Sequence, residues 1–127
     1  MAANETRGEI SIELEGTEYV LRPSFEAIKA FEDGTGKKGV FLLGRMAEED
    51  QLTLGDASVI VAECIKAHGR AIGDNAMAAV NAQRIGELIM ASDGGFLIAM
   101  KKIAVLLWMA TTGGYTGSGE LKATTKN

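Results

Sequence analysis

The sequence holds one cysteine, one proline and one histidine among 127 residues. A single thiol, Cys64, excludes an intramolecular disulfide and suits a reducing compartment. One Cys and one His also leave a zinc site short of ligands unless carboxylates complete it. Aromatic residues are scarce at 6%, so aliphatic side chains and Met supply most of the apolar mass. A basic surface is missing as well. Thirteen Lys and Arg stand against 17 Asp and Glu, a formal charge of -4, and the cations are scattered. That argues against a nucleic-acid partner, because neutralising a phosphate backbone needs clustered positive charge. The longest apolar run, residues 103–110, is well short of a membrane span and follows Lys101-Lys102. Residues 1–9 are polar and lack the apolar stretch of a secretory signal. The expectation is a soluble cytoplasmic chain with no membrane contact.

What is present is apolar periodicity. At 46% hydrophobic residues the chain has the composition of one ordered domain rather than of a disordered one. Residues 9–14 alternate strictly, with Ile10, Ile12 and Leu14 on one face, and Glu15-Gly16 offers a tight turn into a return strand over 18–22. Pro23 ends that strand. A lone hairpin is marginal, so its apolar face must rest on the helices that follow.

Ser24 is placed to cap a first helix over about 25–33, with Phe25, Ile28 and Phe31 as its stripe. A short helix over 40–47 follows a glycine-rich loop, although Gly44 weakens it. The clearest helix opens at Thr53 and buries Ala57, Ile60, Val61, Cys64, Ile65 and His68 on one face, with Gly69 placed to stop it. A fainter copy lies 28 residues on: Asn81 can cap a helix to Ala91, or the helix starts near Asn75. The last helix, residues 96–111, is apolar nearly all round apart from Lys101 and Lys102, so most of its faces must be covered. Residues 113–127, rich in Gly, Ser, Thr and Lys, read as a flexible tail. The fold class is α+β, mainly α: a hairpin followed by four to five helices around one core (residues 1–112), then the tail.

Few residues invite chemistry. Cys64 and His68 lie one helical turn apart, but both fall on the apolar face, where a buried free Cys is common. Gly34-x-Gly36-x-x-Gly39 spells the dinucleotide pattern without the preceding strand that pattern requires. Glu48-Glu49-Asp50 and Glu13, Glu15 and Glu18 read as solvated charge. No catalytic residue, cofactor or metal is expected. The last helix is different. Its large and adaptable residues Phe96, Leu97, Met100, Ile103, Leu107 and Trp108 are a candidate protein-binding set.

The order of the motifs adds a resemblance. Gly8-Glu-Ile-Ser-Ile-Glu-Leu-Glu-Gly16 leads into Tyr19-Val-Leu-Arg-Pro-Ser-Phe-Glu-Ala27, then Leu52-Thr-Leu54 opens a helix, and Ile85-Gly-Glu-Leu-Ile89 lies in a later one. This resembles the tail assembly chaperone family of gene transfer agents and related siphophages, over about residues 8–112. Val80-Asn81 departs from the Leu-Thr-like helix start common at that point, and the 113–127 segment is unmatched. The resemblance implies a non-catalytic protein, absent from the finished particle. It would bind the tape measure protein, and the tail tube protein as a further partner, and keep the tape measure soluble until the tube assembles. Homo-oligomerisation is open. The competing readings are a generic bacterial or phage adaptor dimerising through its last helix, a small Cys64-dependent enzyme, and a helix–turn–helix regulator using Lys66, Arg70 and Arg84.

Overall fold

The computed structural model describes residues 9–122. The hairpin forms as its alternation requires. Strands β1 (Ser11–Leu14) and β2 (Thr17–Val20) pair antiparallel with Leu14 opposite Thr17. Glu15 and Gly16 take φ values of 50° and 84°; positive φ at both central residues matches the right-handed twist of the strands. Ile12 and Leu14 are buried. The hairpin is tied to the helices through the Arg22 amide, which donates to Cys64 O at 3.1 Å, and the Glu15 amide, which donates to Ser92 Oγ at 2.9 Å.

Among the described residues six helices follow: α1 (Phe25–Gly34), α2 (Val40–Glu48), α3 (Leu54–Ile72), α4 (Asn75–Ala78), α5 (Ala82–Ala91) and α6 (Gly95–Thr111). Four begin on a side-chain cap. Ser24 Oγ accepts from the Ala27 amide, Thr53 Oγ1 from Asp56, Asp74 Oδ1 from Met77 and Asn81 Oδ1 from Arg84, each satisfying an amide that the helix itself cannot. Of the two alternatives for the helix that ends at Ala91, the Asn81 start holds, and the residues near Asn75 form a separate single turn. Asp74 starts one turn near Asn75, and Asn81 starts α5 afterwards.

Helix α3 is the hub, packed against α1, α4, α5, α6 and β2. All six residues of its expected apolar face are buried. Two expectations about helix faces change. Phe25 is 67% exposed, while Ala27 and Phe31 carry the buried face of α1; at the first helical position, Phe25 precedes the turn that lies on the core. Gly69 does not stop α3. The helix runs on to Ile72 and ends at Gly73, whose left-handed φ of 74° closes it.

Gly69 answers a packing need instead. A Cβ there would stand 2.5 Å from Ala78 N and 2.6 Å from Met77 Cβ, so α4 folds over α3 because Gly69 has no side chain. Gly44, in α2, is roomier: an added Cβ would meet Leu107 Cβ at 3.5 Å, ordinary contact. The two glycines therefore predict opposite outcomes. Gly69→Ala should lower stability by about 2 kcal/mol through overpacking, and Gly44→Ala should raise it by about 0.8 kcal/mol through helix propensity. Urea midpoints of the two variants check this, and a matching sign for both would contradict the account.

The expected flexible tail does not begin at Gly113. Residues 113–122 turn back and pack, with Tyr115 buried and bridged to Leu121. Tyr115 supplies the apolar anchor that composition alone did not weigh. The rest of that segment, 123–127, lies outside the described residues, as do residues 1–8.

Candidate interaction surface

The residues that first invited chemistry are placed against it. Cys64 is fully buried, and that burial, with Glu63 alongside, pushes its thiol pKa up. The reactive thiolate is thereby disfavoured. His68 Nδ1 has no hydrogen-bond partner among the described residues. No group of three or more His, Cys, Asp or Glu among the described residues could hold a metal ion. The Gly34–Gly39 segment follows α1 and precedes α2, so it lacks the strand a dinucleotide loop needs. Of the acidic residues, Glu18 accepts from Ser11 Oγ at 2.6 Å and Asp50 pairs with Lys101 at 3.7 Å. Among the basic residues of the regulator reading, Lys66 pairs with Glu63 and Arg84 with Glu87. No single helix among the described residues is long and apolar enough to cross a membrane.

Burial lowers the His68 pKa, and the Arg22 charge adds to this, while Glu9 and Asp74 act in the opposite sense. Its folded value lies below the ordinary 6.5, so the folded state favours the neutral ring. The stability this contributes is complete above that ordinary value and is lost as the pH falls through it towards the folded value. Replacing His68 with Gln should flatten the fall in thermal midpoint between about pH 7 and pH 5. An unchanged profile would show that other groups set it.

The six residues proposed from sequence for α6 divide in two. Met100, Ile103 and Leu107 belong to the core, at 6%, 0% and 1% exposure. Leu97 and Trp108 are exposed, and Phe96 is half-buried. The exposed side of α6 carries Ile98, Lys101, Val105 and Trp108, spaced three, four and three residues apart, which is one helical face.

Helix α2 lies alongside that face. The helices run antiparallel: Asp50, just past α2, meets Lys101 early in α6, while Val40 and Phe41 stand near Thr111 and Thr112. Gly44 faces Leu107 across the pair. Between them runs an open groove of about 260 Å³, with Phe41 and Trp108 on its walls and Arg45 and Glu48 among its polar residues. Phe41 is 71% exposed and Trp108 61%. Thr111 and Thr112 turn their hydroxyls back onto Leu107 O and Trp108 O, each at 2.8 Å, so they need nothing from outside. Leu42 and Val105 are also exposed, outside the groove lining. Sequence reading missed Phe41, Leu42 and Val105 as surface. The available signal was Lys101, which marks the solvent side of a nearly uniform helix and puts Val105 and Trp108 on it.

A second crevice, about 690 Å³, lies between α3 and α5 and is lined by Leu54, Val59, Gly86 and Met90 among others. It carries no aromatic residue.

A family model described as "Phage tail tube protein, GTA-gp10" matches residues 7–93, more than half of the chain. The chain belongs to that family. It is therefore related to the tail proteins of phages and gene transfer agents. The match spans the hairpin and α1 to α5 and stops before α6, so the family region contributes the Phe41 wall of the groove and the Trp108 wall lies outside it. No curated protein and no solved structure matches the chain. The resemblance read from the hairpin motifs thus agrees with the family at the level of phage-like tails, while the family description names a tube protein rather than an assembly chaperone.

Proposed function

We propose that this protein is a tail assembly chaperone that holds apolar helical segments of a tape measure protein in the α2–α6 groove, in the cytoplasm of the bacterial host, until tail tube subunits replace it. The observation that carries the reading is the paired exposure of Phe41 and Trp108 across an antiparallel helix pair. Two antiparallel helices with an apolar groove offer a third helix its natural seat, with anchors one turn apart entering the groove. Aromatic side chains of this size supply most of the binding energy at such surfaces. The partner needs no covalent step, and the reading assigns no catalytic residue. Arg45 and Glu48 line the groove with both signs of charge, which favours exchange over permanent burial. The net acidity keeps the free chaperone soluble.

Co-expression with the tape measure protein tests this. The tape measure should stay soluble in the presence of the native chain and precipitate with a Phe41→Ser, Trp108→Ser variant. Point variants are the right tool, because deleting residues 96–110 removes Ala99, Ile103 and Leu106 from the core and unfolds the protein.

The family description favours a second reading, a component of the tube itself that associates through the same surface. Rings or tubes formed by the purified chain alone, lost on substituting Trp108, would support it. A monomer that solubilises the tape measure supports the chaperone.

A further inference from the structure

Beyond α6 the chain turns back onto residues 22–25. Gly113 takes a left-handed φ of 86°, and the Gly114 amide donates to Met109 O at 2.8 Å. Residues 114–122 then close on themselves. The Lys122 amide donates to Gly114 O, the Thr116 amide donates to Glu120 O, and Tyr115 bridges Leu121. The loop sits on the junction between the hairpin and α1. The Phe25 amide, at the first turn of α1, donates to Gly117 O at 2.8 Å, and Arg22 Nη1 reaches Ser118 O at 3.4 Å. Gly119 presses so close to Ser24 that a Cβ would stand 2.8 Å from Ser24 N.

The forces on this loop oppose one another. Burial of the Tyr115 ring and the capping of an α1 amide hold it down. Against them, Tyr115 Oη is buried without a hydrogen-bond partner among the described residues, which favours its return to water. Gly113, Gly114, Gly117 and Gly119 make the loop costly to order. Apart from the first amide of α1 and the Met109 carbonyl in the last turn of α6, no helix among the described residues takes a backbone hydrogen bond from the loop. A segment so placed opens at lower free energy than the core.

We propose that residues 113–122 form a releasable clasp, which lifts as a unit while the six helices stay folded. Release frees the Phe25 amide at the start of α1 and empties the slot filled by Tyr115. Anything that engages residues 113–122 is thereby coupled to the hairpin–α1 junction. This inference does not rest on the groove reading, since the clasp and the groove use different residues.

Amide hydrogen exchange on the full chain, followed by NMR, tests it. The Phe25 amide, whose acceptor is Gly117, should exchange at least about 100-fold faster than the Ile65 amide in the middle of α3. Tyr115→Phe removes the unpartnered hydroxyl and should slow Phe25 exchange by about tenfold. Gly119→Val, strained at a φ of 87° and crowding Ser24, should leave Phe25 nearly unprotected with the helical circular dichroism intact. Equal exchange at Phe25 and Ile65 in the native chain would overturn the proposal, because the loop would then open only on global unfolding. So would unchanged or faster exchange in Tyr115→Phe. Both of those comparisons stand even where the Gly119 variant fails to fold.

Discussion

Trp108→Ala is expected to weaken binding of an apolar partner helix by about 30-fold or more, with the thermal midpoint of the free protein nearly unchanged. The side chain is 61% exposed, so truncating it removes little from the fold. In a complex it would become the largest buried anchor of the interface, and anchors of that type carry about 2 kcal/mol or more each. Phe41 faces the same groove and should behave in the same way to a smaller degree, since a phenyl ring offers less area than an indole. Calorimetric titration with a tape measure helix, together with a thermal melt of each variant, separates the two effects. A drop in stability that accompanied the loss of binding would place Trp108 in the core after all.

Ile103→Ala should give the converse result. Ile103 is fully buried at the contact of α6 with the body of the protein, five residues before Trp108 on the same helix. Truncating a buried Ile leaves a cavity and costs about 3 kcal/mol, within a range of 2–5 kcal/mol. For a domain of this size that is a large part of the total stability. The urea midpoint should fall sharply. Binding measured well below that midpoint should survive, because Ile103 does not reach the groove. Loss of binding in a folded Ile103→Ala protein would mean that α6 uses its inner face for the partner.

These opposite outcomes on one helix show where sequence reading ran short. The start and the buried face of α3 were legible, though not its end, because its apolar residues recur at helical spacing from the Thr53 cap onward. Ala57, Ile60, Val61, Cys64, Ile65 and His68 could be assigned inward from spacing alone. Helix α6 offers no such pattern. Apolar residues occupy nearly every position, so Met100, Ile103 and Leu107 could not be told from Leu97 and Trp108 until the helix had neighbours. The polar markers were Lys101 and Lys102, and of the two Lys101 lies on the exposed side while Lys102 is half-buried. The other wall of the groove was less legible still. Phe41 and Leu43 differ by two positions in a short apolar run, and the packing of α2 against α6 decides that Leu43 is inside.

Glycine carried the same ambiguity. Gly69 and Gly73 are equivalent as signals for a helix end. Only the fold of α4 over α3 shows that Gly69 serves close approach and Gly73 serves the left-handed cap. Tyr115 is a third case. It stands alone in a glycine- and threonine-rich stretch, and a single aromatic residue anchors a loop that composition reads as unstructured. In each case the deciding contact is distant in sequence, whereas the hairpin, the caps and the buried face of α3 were set by neighbours within a turn or two.

The chain's single tryptophan gives the account its most direct test. Trp108 sits in the proposed groove, so its fluorescence reports on the site without a label. Titrating the protein with an apolar helical segment of the tape measure protein should shift the Trp108 emission to shorter wavelength and protect it from aqueous quenchers, as the indole leaves water. Binding seen by calorimetry with the emission and quenching of Trp108 unchanged would contradict the assignment of the α2–α6 groove as the working surface.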